Sequence, residues 1–121
     1  MTTNEEQIQI TDTTNAEHYS WGNRCEGWHF LKSEGLSVIK EIMPPMTTEQ
    51  LHFHEKARQF FYILSGIATF GINGVEYVVI QGKGILIKPG IKHLISNDSQ
   101  VDLEFIVISE PESHGDRIDI E

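Results

Sequence analysis

The amino-acid sequence predicts an all-β fold, a barrel or a sandwich, and three observations carry the prediction. Short apolar runs of strand length recur every 8–12 residues or so, with Gly, Pro, Asn or Asp between them. No stretch keeps a helical period of about 3.6 residues for long enough to build a helix. Asn73-Gly74 stands between two such runs, and Asn-Gly readily takes positive φ at both central positions of a type I′ hairpin turn. The 121 residues suit one domain, 1–121, large enough to bury a core without disulfides.

Residues 1–16 read as a mobile start or an N-terminal strand, since Ile8-Gln9-Ile10 alternates briefly. Residues 19–31 combine turn-forming glycines with aromatic residues that seek burial. After a turn at 32–35, residues 36–43 form a β-rich run. Pro44-Pro45 closes it, because two prolines do not sit inside a central strand. Residues 50–54 form a histidine-bearing strand, 55–58 a connection, and 59–64 an aromatic-rich strand. Ser65-Gly66 turns the chain into the hairpin of 67–72 and 75–80. Residues 81–84 turn again, and 85–87 form a short strand ended by Pro89-Gly90. Residues 93–96 and 101–108 are the last two strands, separated by a turn at 97–100. The tail, 109–121, carries Pro111 and Gly115 and reads as irregular.

Strand 59–64 is apolar on both faces, with Gln59, Phe61 and Ile63 on one and Phe60, Tyr62 and Leu64 on the other. An antiparallel strand normally meets water on one side. The outer face is therefore expected to lie under the N-terminal strands or a second subunit, and a homodimer is the expectation.

Composition excludes several classes of partner. Eighteen acidic against nine basic side chains give a formal charge of −9. That disfavours nucleic acid and anionic membrane surfaces, which need clustered Lys and Arg. The acidic ends read as solvated surface. The single cysteine, Cys25, rules out an intramolecular disulfide and fits a reducing compartment. No apolar run approaches membrane-spanning length. The polar start, Met1 to Glu6, lacks the features of a signal peptide, so a cytoplasmic location is expected.

The stretch that carries chemistry is His52-Phe53-His54. In a strand the two imidazoles point the same way, about 6–7 Å apart along the chain, within reach of one metal ion if the strand twists. Gln59 has the opposite parity, but the break at 55–58 lets the next strand return it to the same interior. Pro89-Gly90 places His93 just after a tight turn. His52, His54, Gln59 and His93 are thus positioned to surround one cation. His18, His29 and His114 have no supporting spacing and read as ordinary polar residues. Cys25 reads as an inert thiol with no base nearby in sequence. Gly82, Gly84 and Gly90 read as turn residues.

His52, His54, Gln59 and Gly66 resemble the first motif of the cupin family. Gly84, Pro89-Gly90, His93 and Asn97 resemble the second. The resemblance spans roughly residues 52–97 and is to small single-domain cupins. It implies a double-stranded β-helix, or jelly roll, with a metal held by three histidines and one acid. Three positions depart from the pattern. Met46 stands where a glycine is expected, Lys88 where a proline often precedes Pro89-Gly90, and Gln59 where the acid belongs. A glutamine carbonyl is a neutral, weaker ligand than a carboxylate and leaves the 2+ charge of the metal uncompensated. Such a site favours an anionic molecule in its open positions. Glu55 follows His54 directly, so it points to the other face and is no substitute.

The expected cofactor is one divalent ion; imidazole suits zinc, iron, nickel and copper, and manganese suits added oxygen donors. The expected partner is a small oxygen-bearing or anionic molecule. Trp28, Phe61, Ile63, Ile95 and Phe105 are the expected pocket wall, an apolar lining without further acids or bases. On this reading the protein runs dioxygenase-type or isomerase-type chemistry. The rival is a non-catalytic module that binds a sugar, an aromatic or an acid, with metal structural or absent. Gln59 favours the rival by removing a likely base.

Overall fold

The computed structural model describes residues 7–113 and 115–121; Met1 to Glu6 and His114 lie outside the described residues. Among those described there is no α-helix, and no helix long and apolar enough to cross a membrane. Twelve strands run in chain order: β1 Glu17–Trp21, β2 Cys25–Lys32, β3 Ser37–Met43, β4 Thr47–Thr48, β5 His52–His54, β6 Arg58–Ser65, β7 Ile67–Ile72, β8 Val75–Ile80, β9 Gly84–Ile87, β10 His93–Asn97, β11 Leu103–Glu110 and β12 Arg117–Asp119. They form two antiparallel sheets, β1-β2-β3-β11-β6-β9 and β12-β5-β10-β7-β8, with β4 also paired to β10. This is the jelly-roll barrel that the resemblance implies.

Turn chemistry fixes the layout. Asn73 and Gly74 take φ of 52° and 77°, as a type I′ turn requires, and join β7 to β8 in register from Ile72↔Val75 to Ile67↔Ile80. At Gly66, with φ of 91°, a β-carbon would lie 2.6 Å from the Asp102 carbonyl oxygen, so only glycine fits the β6–β7 turn. Inward side chains of both sheets close the core. Phe61, Ile63, Phe70, Ile95, Leu103 and Phe105 are all buried there.

Three expectations are corrected. Ile8 and Ile10 are exposed and belong to no strand. The tail is not wholly irregular, because β12 pairs with β5 through Arg117↔His54 and Asp119↔His52. The cause is Asp116, whose carboxylate accepts the backbone N–H groups of Glu55, Lys56 and Ala57 at 2.8–3.1 Å. The N-terminal strands do not cover the outer face of β6. They extend the edge of its sheet, and Phe60, Tyr62 and Leu64 stay 38–41% exposed.

Candidate metal centre and its cavity

The strand β5 is only three residues long, yet both of its histidines point inward and are buried, with Phe53 between them facing the other way. β10 runs antiparallel beside it and sets His93 directly opposite His52. The Pro89-Gly90 turn is tied to the histidine strand, since the Gly90 N–H donates to the His54 carbonyl at 2.7 Å. One nitrogen from each of His52, His54 and His93 lies within 4.8 Å of the others. The ring centroids of His52 and His93 are 4.4 Å apart.

Backbone carbonyls orient two of the rings. His52 Nδ1 meets the Gln50 carbonyl and His93 Nδ1 the Ile91 carbonyl, each at 2.8 Å. In the neutral ring such a bond puts the proton on Nδ1 and leaves Nε2 with a free lone pair, the form that binds metal. Burial keeps the histidines neutral, pushing His52 down to about 3, His54 to about 4, and His93 down as well.

Gln59 opens the buried, inward row of β6, followed by Phe61 and Ile63. Its Nε2 donates to the Ser109 hydroxyl at 3.0 Å across the β6–β11 pair. Among the described residues, Gln59 Oε1 and His93 Nε2 are buried atoms without a hydrogen-bond partner. A buried acceptor left bare is costly, and the nitrogens of the three histidines, within 4.8 Å of one another, lie close enough for one cation to satisfy. The three neutral imidazoles therefore fit a divalent metal ion. Glu55 is exposed and takes no part.

His52 and His54 open onto a cavity of about 320 Å³. His52, His54, Gln59 and Phe61 line one part of it, and Tyr19, Trp21, Ile39, Glu41 and Glu49 another. Val107, Ser113, Gly115 and Arg117 complete the wall. His93 lies behind this lining, 1% exposed, with its ring 6.4 Å from that of Phe61.

Of the expected pocket wall, only Phe61 lines the cavity. Ile63, Ile95 and Phe105 do face inward, but at 0–1% exposure they fill the barrel below Phe61 and leave no space there. Trp28 lies on the outer face of the first sheet. It pairs with His18 on one side and Lys40 on the other, and its ring centroid is 5.2 Å from that of His18.

The lining is also not apolar. Glu41 stands inward between Ile39 and Met43 on β3, and the Tyr19 hydroxyl donates to its Oε2 at 2.6 Å. Glu49 is locked to β10 both ways: its N–H donates to the Ile95 carbonyl, and its Oε1 accepts the Ile95 N–H at 3.1 Å. Burial raises both acids, Glu41 to about 7 and Glu49 to about 8. Arg117 brings a guanidinium to the same cavity, with Nη1 3.8 Å from Glu49 Oε2. Parity on β3 marks Glu41 as inward. Glu49 and Arg117 lie outside any period that would reveal them.

Comparison with known proteins agrees with this architecture. Residues 39–109 match the family model described as "Cupin domain". An oxalate-binding protein of Thermotoga maritima is 33% identical over 85 residues, which cover 66% of this chain and 70% of that protein. A crystal structure described as a predicted oxalate decarboxylase, also from Thermotoga maritima, superposes with a TM-score of 0.78 at 23% identity. It covers 86% of this chain and 100% of that one. The polyketide cyclase RemF from Streptomyces resistomycificus gives a TM-score of 0.80 at 14% identity, over 94% of this chain and 86% of that one. With the family model covering more than half of its length, the chain belongs to the cupin family.

Proposed function

We propose that this cupin holds one divalent metal ion through His52, His54 and His93, with Gln59 completing the set, and acts on a small carboxylate-bearing molecule in the cavity. The observation that carries the reading is the buried cluster of His52, His54 and His93, whose nitrogens lie within 4.8 Å of one another beside a 320 Å³ cavity that His52, His54 and Gln59 line. A bound divalent ion supplies a Lewis-acidic charge that polarises and orients ligand oxygens. The chain supplies the rest. The four ligands are neutral, so the site keeps its positive charge for an anion, and Arg117 adds a second positive group. Phe61, Trp21 and Val107 exclude water from one side. The 33% identical relative is named for oxalate, an anion of this chemistry.

A non-catalytic binding role is the second reading, and Gln59 favours it because an amide cannot act as a base. Glu41, Glu49 and Tyr19 weigh against it, since they place acid–base groups in the cavity. Isomerase-type chemistry, which moves protons, fits that lining better than the dioxygenase type. The buried thiol of Cys25 suits a reducing, cytoplasmic setting. A homodimer would cover the exposed outer row of Phe60, Tyr62, Leu86 and Ile108.

Elemental analysis and calorimetric titration with nickel, zinc, manganese and iron test the reading. One ion per chain is expected, with oxalate binding only to the loaded protein. Absence of uptake of any of these ions overturns it.

A further inference from the structure

Glu41 belongs to the cavity but not to the histidine cluster, and the fold takes pains to seat it. Tyr19 on β1 lies directly across from Gly27 on β2. A β-carbon at Gly27 would collide with the end of the Tyr19 ring, so the missing side chain is what lets the ring cross β2. Gly27 in turn pairs with Glu41 on β3, and the hydroxyl ends 2.6 Å from Glu41 Oε2. One carboxylate oxygen is thus held by the phenol, and the other remains for the cavity.

The titratable and charged groups facing Glu41 are Tyr19 from β1, Cys25 from β2, Glu49 from the β4–β5 connection and Arg117 from β12. His52 and His54 line the same cavity. Burial raises the carboxyl to about 7, while the Tyr19 hydrogen bond and the charge of Arg117 draw it back. Glu49 is different, because its oxygens are engaged by the Ile95 N–H and lie near His52 and Arg117.

We propose that Glu41, seated by Tyr19, is the acid–base residue of this cavity and takes up a proton from solvent as a carboxylate-bearing ligand binds at the histidines. The proposal rests on the reading that such a ligand binds there. As the anion enters, a proton from solvent goes onto the free Glu41 oxygen, and the new O–H donates to a ligand oxygen. On release the proton returns to solvent. No bond within the ligand breaks at this step, and nothing is oxidised or reduced.

The test is oxalate titration of the nickel-loaded protein at pH 8, by calorimetry in two buffers of different ionisation enthalpy. Uptake of roughly one proton per oxalate is expected. Glu41→Gln, which keeps the shape and still accepts from Tyr19, should keep its nickel and lose more than half of the proton uptake per oxalate bound. Tyr19→Phe removes the bond that lowers Glu41, so uptake should persist with its pH midpoint moved upward. Binding without proton uptake, or uptake unchanged in E41Q, overturns this proposal and leaves the metal reading standing. Failure of oxalate to bind the nickel-loaded protein overturns both.

Discussion

The Gln59 amide donates to the Ser109 hydroxyl, and that one bond decides which end of the amide is left without a partner. With Nε2 engaged, Oε1 is buried without a partner, on a side chain that lines the same cavity as His52 and His54. Gln59→Glu should therefore tighten divalent-ion binding by tenfold or more, because a carboxylate replaces a neutral carbonyl. It should weaken oxalate binding to the loaded protein by a similar factor. Ser109→Ala frees the amide to rotate and should cost about 10–100-fold in metal affinity, with the fold retained. Competition against a chromophoric chelator measures each.

His93→Ala should abolish binding outright, since it removes the ligand that stands opposite His52. The metal-to-protein ratio after dialysis should fall from one to near zero. Circular dichroism should still report the β fold, because Phe61, Phe70 and Phe105 keep the core closed.

Two opposed sets of groups shape the pH dependence of the metal-free protein. Glu41 and Glu49 rise from 4.5 to about 7 and about 8 on folding. The stability they contribute is full below 4.5 and is lost as pH rises through 7 and 8. His52 and His54 fall from 6.5 to about 3 and about 4. Their contribution is full above 6.5 and is lost as pH falls toward those values. Because His93 is lowered as well, three histidines outweigh two acids below pH 6.5, and the melting temperature should peak near pH 6.5 and decline on both sides. Glu41→Gln should flatten the alkaline decline, a result that thermal melts across a buffer series will show directly.

Met46 occupies the position of the motif glycine and adopts the glycine conformation, with φ of 60°, while 66% exposed. The left-handed backbone costs a residue with a β-carbon about 1–2 kcal/mol, and glycine gives back part of that through its freer unfolded chain. Met46→Gly should stabilise the protein by about 0.5–1 kcal/mol. Gly66→Ala meets the Asp102 carbonyl and should destabilise by about 2 kcal/mol or more. Urea titrations measure both.

If the outer face of the first sheet joins two copies, a charge at its centre should separate them. Phe60 stands beside Leu86 and Ile108, all 37–49% exposed. Phe60→Lys should shift sedimentation from dimer to monomer without altering metal content. A wild-type chain that sediments as a monomer at micromolar concentration removes the dimer.

The histidine strand was legible because β-strand parity is a strict rule and turn residues mark where it resets. His52, His54 and His93 could be placed by counting, and the fold brings their nitrogens within 4.8 Å of one another. Trp28 could not be placed this way. Gly27, Trp28 and His29 are all buried, so β2 shows no alternation, and which face is inward depends on its neighbours. Glu41 was within reach of the same counting, flanked by Ile39 and Met43 at inward positions. Glu49 and Arg117 enter through long-range pairing to β10 and β5, for which no local pattern exists. β12 is three exposed residues held by bonds from distant chain, so neither period nor propensity announces it.

The Asp116 clasp has a consequence for the order of events in folding. Its partners, the Glu55, Lys56 and Ala57 amides, are 59–61 positions away in sequence. Such closure carries a larger loop entropy than the β7–β8 hairpin, which zips from a two-residue turn. The three histidines can gather before the cavity has its last wall. Docking of the C-terminal strand then turns an open bowl into a chamber with Arg117 in its wall.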